Sequence, residues 1–147
     1  MYVPIAGSID TLAVAAAMAF AGCPISYRRW AIVGFTLFDA LAGLAGSRWA
    51  FSMPPVPAVL LEVALAVPVL CLARRRPVYY LTLPLLFSVD NLLLGAGDSL
   101  PARAAVLDGL ASGALACCGF LAASVALRWD ALTRFSAFAK GAKGEIA

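Results

Sequence analysis

Five acidic residues lie inside hydrophobic stretches of this 147-residue chain, and those stretches contain no Lys, Arg or His. They are Asp10, Asp39, Glu62, Asp90 and Asp108. A charged carboxylate at the centre of a membrane costs about 2.5–3.5 kcal/mol on an insertion scale. Five are therefore tolerated only if they face one another, water or a cation. Because no basic side chain is at hand to neutralise them, the pattern predicts that they bind a positively charged species.

Further oxygen donors lie beside four of these carboxylates. The predicted cation site consists of Asp10, Asp39, Asp90 and Asp108 with Ser8, Ser88, Asn91 and Thr36; Thr11 and Ser112 are nearby. The chain contains no His, and its four cysteines have neither metal-site nor disulfide-framework spacing. Oxygen-only sites suit hard cations such as Mn²⁺, Mg²⁺ or Ca²⁺ better than Cu⁺ or Zn²⁺. We expect Glu62 to have a role other than that of a ligand, and the cysteines to be small buried residues.

The surplus of carboxylates predicts a link to protons. Four ionised aspartates around one divalent cation leave a net charge of about −2, and like charges oppose one another's ionisation. The empty site should therefore keep protons and release them when metal binds. The chain carries no nucleotide-binding motif. We predict a secondary transporter with no cofactor, whose partners are a divalent cation, protons and membrane lipid, with no nucleic acid.

The composition excludes an ordinary soluble domain. Hydrophobic residues make up 63% of the chain and charged residues only 13%. We predict an all-α membrane protein in which residues 1–127 form one transmembrane domain. Its five spans are expected at about 3–23, 30–50, 56–73, 77–97 and 103–127, with proline- and glycine-rich turns between them. The first span lacks the basic start of a cleavable signal peptide and is expected to stay as a helix.

The basic residues predict the orientation of these spans. Nine of the eleven Lys and Arg residues fall on alternate loops and the tail, and two fall on the opposite side. The positive-inside rule then places the N-terminus outside and the C-terminus inside a bacterial cell membrane. The nine are Arg28, Arg29, Arg74, Arg75, Arg76, Arg128, Arg134, Lys140 and Lys143; the two are Arg48 and Arg103.

Residues 128–147 form a basic tail that is too polar to span the membrane. Trp129, Leu132, Phe135 and Phe138 recur every three residues with basic groups between them. This spacing favours a short helix lying on the inner membrane face. An unstructured basic tail fits the sequence equally well, and both interpretations stay open.

Two pairs of short motifs predict an inverted repeat. Residues 8–12 (SIDTL) match residues 88–92 (SVDNL), and residues 38–43 (FDALAG) match residues 107–112 (LDGLAS). Span 1 is thereby paired with span 4, and span 2 with span 5. Members of a pair are three spans apart, so they cross the membrane in opposite directions. Repeats of this kind are common in secondary transporters, whose sites lie where the halves meet. We expect Asp10 and Asp90 to lie close together there.

Pro84 lies four residues before Ser88 in the fourth span. A proline at this position removes the donor for the Tyr80 carbonyl and can kink the helix. A proline tolerated in a straight, packed helix is the alternative.

Three stretches resemble a known family. They are residues 8–14 (SIDTLAV), 38–46 (FDALAGLAG) and 88–92 (SVDNL). Together they resemble the MntP-like manganese efflux pump family of the lysine-exporter superfamily. The resemblance implies that Mn²⁺ is the substrate, and that Asp10, Asp39, Asp90 and Asp108 line the ion path. Members of that family usually have six helices. With five predicted here, the resemblance implies a homo-oligomer or a larger membrane partner.

Three other functions are compatible with parts of the sequence. A non-transporting accessory subunit of a larger membrane protein would also use close-packing helices. An exporter of an amino acid or another organic cation is implied by the wider superfamily. An intramembrane aspartyl peptidase would match residues 95–98 (GAGD), but the charge rule places Asp98 outside, whereas prepilin peptidases would need it on the cytoplasmic side. We therefore do not expect an enzyme.

Overall fold

The computed structural model describes residues 9–46, 55–94 and 102–144. These residues form five α-helices and no strand, which confirms the all-helical class. The helices are α1 (Ile9–Phe20), α2 (Ile25–Gly46), α3 (Pro55–Arg75), α4 (Thr82–Leu94) and α5 (Ala102–Gly144). A 3₁₀ helix, Pro77–Leu81, precedes α4. Two segments, Ile25–Gly46 and Arg103–Ala131, are long and apolar enough to cross a membrane, whereas the apolar segments Asp10–Phe20 and Pro77–Val89 are shorter.

Gly22 ends α1 and allows α2 to start earlier than the sequence predicts. Its φ of 87° lies in the left-handed region, which glycine adopts without strain. The Cys23 amide donates to the Met18 carbonyl, and the Gly22 amide donates to the Ala19 carbonyl. These two bonds form a Schellman motif at the end of α1. The chain reverses within four residues, so α2 starts at Ile25 rather than near residue 30.

A break precedes α4 in the predicted fourth span. The 3₁₀ helix ends at Leu81, and Thr82 starts α4 with its hydroxyl bonded to the Tyr79 carbonyl at 2.8 Å. Pro84 therefore lies in the first turn of α4, where amide groups have no partner within the α-helix. The sequence places this proline in the interior of a helix. The structure places it just after a helix start, where it removes no interior hydrogen bond.

The last helix shows no break at residue 127. α5 continues as one element from Ala102 to Gly144, a length of 43 residues. At 1.5 Å per residue this corresponds to roughly 65 Å. The backbone of the basic segment is therefore helical to Gly144. Its position on a membrane surface stays a prediction.

Glycines of α5 bring it against α2 and α1. A Cβ at Gly109 would meet the backbone carbonyl of Thr36 and lie 2.7 Å from the Cβ of Ala40. A Cβ at Gly113 would meet the hydroxyl of Thr36, and one at Gly119 would meet the carbonyl of Leu12. Larger residues at these positions would push the backbones apart. Small residues therefore set the closest helix approaches, as in membrane helix bundles.

The contacts between helices also give their relative directions. Along α2, Thr36 faces Gly113 whereas Gly43 faces Ala105, so α2 and α5 are antiparallel. Gly34 of α2 faces Pro84, and Asp39 contacts Ser88, so α2 and α4 are parallel. α3 packs against α4, while α1 packs against α5 and touches α4 only marginally. In space the helices follow the order α1, α5, α2, α4, α3.

One end of the bundle collects most of the described basic residues. The Tyr80 hydroxyl donates to the Ala21 carbonyl at 3.0 Å, and the Arg28 guanidinium donates to the Ser124 hydroxyl at 2.8 Å. These bonds place the turn after α1, the 3₁₀ helix and the middle of α5 at the same end. We call it the basic end. It carries Arg28, Arg29, Arg74, Arg75, Arg76 and Arg128.

The core is built mainly from small side chains, and large apolar side chains face outward. Ala15, Ala31 and Ala116 are fully buried. In contrast, Trp30 is 66% exposed and Leu121 is 61% exposed, and many other Leu and Val residues of every α-helix except α1 are similarly exposed. Of the cysteines, only Cys23 is buried; Cys71, Cys117 and Cys118 are exposed, which corrects the expectation of burial for all four.

Candidate cation site

Asp39 is the most buried carboxylate among the described residues. It lies near the centre of α2 and is only 1% exposed. Its Oδ1 accepts a hydrogen bond from the hydroxyl of Ser88 in α4, which is itself 3% exposed. A buried polar group is tolerated only when it is hydrogen-bonded, because its hydration is lost. The sequence paired these two residues in one site, and the structure brings them into contact.

The Ser88 hydroxyl has two acceptors but one proton. Besides Asp39, it contacts the backbone carbonyl of Pro84, one turn earlier, at 2.7 Å. A hydroxyl can donate only once, although it can accept as well. Both contacts become hydrogen bonds at the same time if Asp39 is a carboxylic acid that donates to Ser88 while Ser88 donates to Pro84. If Asp39 is ionised, Ser88 must turn its proton to the carboxylate.

Asp10 lies at the start of α1 and is half-buried. Its Oδ1 accepts a hydrogen bond from the backbone amide of Thr11 at 2.7 Å. The Thr11 side chain is 2% exposed, and its hydroxyl is 3.5 Å from the same oxygen. The position suits an anion, because the amides of the first helical turn carry partial positive charge. Asp10 also interacts electrostatically with Asp39.

Asp108 lies in the first two turns of α5 and is half-buried. It too interacts electrostatically with Asp39. One turn later, Ser112 is fully buried. Asp39 therefore interacts with one carboxylate of α1 and one of α5. Three of the four predicted aspartates thus lie within electrostatic range of Asp39 or include it, although they do not converge on one point.

Thr36 lies one turn before Asp39 on α2. Its hydroxyl donates to the Ile32 carbonyl at 3.0 Å and packs at the Gly113 crossing. These contacts give Thr36 a role in joining α2 to α5. A role as a cation ligand stays a prediction for this residue.

Part of the predicted site lies outside the described residues. Ser8 precedes α1, and the side chains of Asp90 and Asn91 in α4 and of Glu62 in α3 are likewise not described. The expected proximity of Asp10 and Asp90 is therefore untested. Residues 95–98, which carry the peptidase-like motif, also lie outside. Within residues 9–46, 55–94 and 102–144, no three Asp, Glu, His or Cys side chains converge tightly enough to hold a metal ion.

The sequence did not identify the side-chain bonds at the basic end. Arg28 Nε donates to the Cys23 carbonyl at 2.8 Å, and the guanidinium lies 5.7 Å from the centre of the Phe120 ring. A cation at the end of α1 is favourable because the last carbonyls carry partial negative charge. Arg and Tyr residues near loops are common, and no sequence pattern around Arg28 or Tyr80 identifies the distant residues to which they bond, Ser124 and Ala21.

Comparison of this chain with protein-family models, curated proteins and solved structures finds no match.

Proposed function

We propose that this chain is a multi-pass membrane protein that exports a divalent, Mn²⁺-like cation in exchange for protons. The observation that carries the proposal is the position of Asp39. It is buried in the centre of an apolar helical bundle, bonded to Ser88, and interacts with Asp10 and Asp108. Ionisable residues at membrane depth are expensive and commonly mark ion or proton pathways.

A membrane location is supported by the outer surface and by the basic end. Two helices are long and apolar enough to span a bilayer. The exposed residues include Trp30, Leu37, Leu121 and Val125, and an apolar surface of this extent is unusual in a water-soluble monomer. The described basic residues are concentrated at one end, with Arg103 toward the other. By the positive-inside rule the basic end faces the cytoplasm and the N-terminus faces outward.

The order of helix packing supports the inverted repeat. In the predicted repeat, α1 is equivalent to α4 and α2 is equivalent to α5. The contact between α1 and α5 is then equivalent to the contact between α4 and α2. The contact between α2 and α5 is equivalent to itself, because the repeat exchanges these two helices. All three contacts are extensive. Ala40 and Gly109 are equivalent positions in the two motifs, and they meet where the antiparallel helices α2 and α5 cross. Such an arrangement is expected of inverted repeats with a site between the halves.

The chemistry of the site favours a hard divalent cation. Its donors are carboxylate and hydroxyl oxygens, with no His in the chain. Asp10 and Asp108 interact with Asp39 but do not form a tight cage with it. A loosely built site suits transport, because a cation must bind well enough to enter and weakly enough to leave. The MntP-like resemblance makes Mn²⁺ the first cation to test.

Export requires a source of energy. Moving a divalent cation outward against an inside-negative potential costs about 4.6 kcal/mol per 100 mV. Proton antiport supplies this energy if each carboxylate that releases the cation takes up a proton. The two hydrogen-bond arrangements of Ser88, one for the acid and one for the carboxylate of Asp39, allow both forms of Asp39 to keep a partner.

Metal-dependent thermal stabilisation of the purified protein tests this proposal. A ligand that binds only the folded state raises the unfolding temperature. We expect Mn²⁺ to stabilise the parent protein more than Ca²⁺, Zn²⁺ or Cd²⁺, and to release protons from it. Asp39→Asn should lose both responses, whereas Asp130→Asn, at an exposed position of α5, should keep them. A response to amino acids but not to metals would favour organic-cation export. No response to either would favour an accessory subunit.

A further inference from the structure

The helices of this bundle are not joined equally tightly. Gly109 of α5 packs directly on the backbone of α2, Gly113 packs on the Thr36 side chain of α2, and Gly119 packs on the backbone of α1. These contacts tie α1, α2 and α5 into one unit. α3 packs on α4 and on the 3₁₀ helix before it, which makes a second unit. The two units meet mainly through α2 and α4.

A gap separates α1 from the second unit. α1 and α4 touch only marginally. Between them lies a cavity of about 170 Å³, lined almost entirely by apolar groups. Val14 and Ala17 line it from α1, Leu83 and Phe87 line it from α4, and α3 lines a third side, while the cavity stays partly open to the surface. Apolar walls offer no hydrogen bonds that would hold α1 and α4 at a fixed distance, and side chains that face the cavity lack packing contacts across it.

Tyr80 crosses this gap at the basic end. Its side chain is 1% exposed, and its hydroxyl donates to the Ala21 carbonyl at 3.0 Å. Ala21 lies in the turn that ends α1, where backbone carbonyls no longer have partners within the helix. Cys23, also 1% exposed, lies in the same buried cluster as Tyr80. The bond therefore joins the end of α1 to the start of the α3–α4 unit, near the buried Cys23.

We propose that Tyr80 is a latch that keeps the basic end of an α1–α4 crevice closed. When its bond to Ala21 breaks, the unit of α3 and α4 pivots on its contact with α2 and moves away from α1, and water enters from the basic end. Arg28 is not the moving part, because its partners Cys23 and Ser124 both belong to the first unit. The inference rests on the proposed transport function, in which a crevice at the basic end opens to the cytoplasm.

Cys23 provides a native reporter for this opening. Exposed thiols are first removed with the substitutions Cys71→Ala, Cys117→Ala and Cys118→Ala, which leave Cys23 as the remaining cysteine. The rate of its labelling by a membrane-impermeant maleimide is then measured in inside-out and right-side-out vesicles without added metal. The comparison is between Tyr80→Phe, which removes only the hydroxyl, and the neighbouring Tyr79→Phe as the matched control.

We expect Tyr80→Phe to raise the labelling rate roughly two- to tenfold, as expected for loss of one hydrogen bond that favours the closed state. The increase should occur from the cytoplasmic side, and Tyr79→Phe should label like the parent. Equal rates in the two variants, or faster labelling from the opposite side, would overturn the inference.

A cross-link separates local opening from general unfolding. Ala17→Cys and Leu83→Cys place thiols on opposite walls of the cavity, where a short bifunctional reagent can join them. The joined Tyr80→Phe protein should protect Cys23 again. Labelling that stays fast after joining would mean that the substitution unfolds the protein, and the latch would be rejected. These measurements use no metal, so they test the Tyr80 latch independently of cation binding. Either proposal, the latch or the cation site, can be rejected while the other is kept.

Discussion

Ser88 of α4 donates a hydrogen bond to Asp39 of α2, and both side chains are almost completely buried. The bond lies where the two helices run parallel, one turn beyond the contact between Gly34 and Pro84. It joins two motifs that are 49 residues apart in the chain. Because this buried carboxyl group is central to the proposed cation site, substitutions of Asp39 should affect ion binding. Substitutions at the helix crossings should affect only folding.

Asp39→Asn should abolish cation-induced stabilisation while preserving the fold. The amide has the size of the carboxyl and can donate to Ser88, so the hydrogen-bond chain to Pro84 is kept. The thermal unfolding temperature without metal should stay unchanged or rise, because a buried acidic group has been removed. Thermal unfolding with and without Mn²⁺ measures both effects. Unaltered Mn²⁺ stabilisation in this variant would assign Asp39 a purely structural role.

Asp10→Asn and Asp90→Asn should have matching effects if the two halves form an inverted repeat. Each is expected to abolish metal tolerance in cells and metal binding by the purified protein, while membrane insertion stays intact. Proton release on metal addition, followed with a pH-sensitive dye, should fall in both variants. A loss in one variant with full activity in the other would count against the repeat.

Ser88→Ala should destabilise the protein by about 1–3 kcal/mol, because it removes a donor from a buried carboxyl group. Ser88→Ala should have a smaller effect in an Asp39→Ala background. The bond between residues 88 and 39 is then absent both before and after the serine is replaced. Unfolding free energies of the two single variants and the double variant measure this coupling. Ser26→Ala, at an exposed position in the first turn of α2, is the control and should have little effect. Additive losses would exclude an energetic link between Ser88 and Asp39.

Gly109→Ala should destabilise the bundle by about 1–3 kcal/mol, because the added methyl group forces the backbones apart. Its Cβ would meet the Thr36 carbonyl oxygen, which cannot move aside as a flexible side chain could. Gly43→Ala is the matched substitution in the same helix pair. Its Cβ would lie 3.4 Å from that of Ala105, so a much smaller change is expected. Unfolding in detergent gives both values; equal stability of the two variants would contradict the crossing described.

Single cysteines at Arg75 and Arg103 should be accessible from opposite sides of the membrane. Arg75 lies at the basic end and Arg103 at the start of α5. In a background without native cysteines, an impermeant reagent should reach Arg103→Cys from outside and Arg75→Cys only from the cytoplasmic side. Labelling of Arg75→Cys from outside would refute the proposed orientation.

The long hydrophobic stretches and the proline- and glycine-rich turns between them predicted the all-helical class and the approximate positions of the helices. Helix ends were less predictable. Arg28 and Arg29 were expected in a loop, but Gly22 and Pro24 allow a turn so short that α2 includes both. In the same way, Pro84 lies after a helix start rather than inside a helix. The sequence shows that Pro84 lacks a backbone amide donor. It does not show whether residue 84 lies in the first turn of a helix, where that donor has no partner within the helix.

The residues of the candidate site were visible in the sequence because a carboxyl group inside an apolar stretch is costly wherever the chain folds. Residue type and burial cost therefore pointed to Asp10, Asp39 and Asp108 without knowledge of their partners. Which partner each one meets was decided only by tertiary structure. Ser88 reaches Asp39 because Gly34 leaves room for Pro84 and lets α4 lie close to α2. Tyr80, in the 3₁₀ helix before α4, bonds to Ala21 at the end of α1, 59 residues away in the chain. These distances depend on contacts between residues far apart in the chain, and no local pattern encodes them.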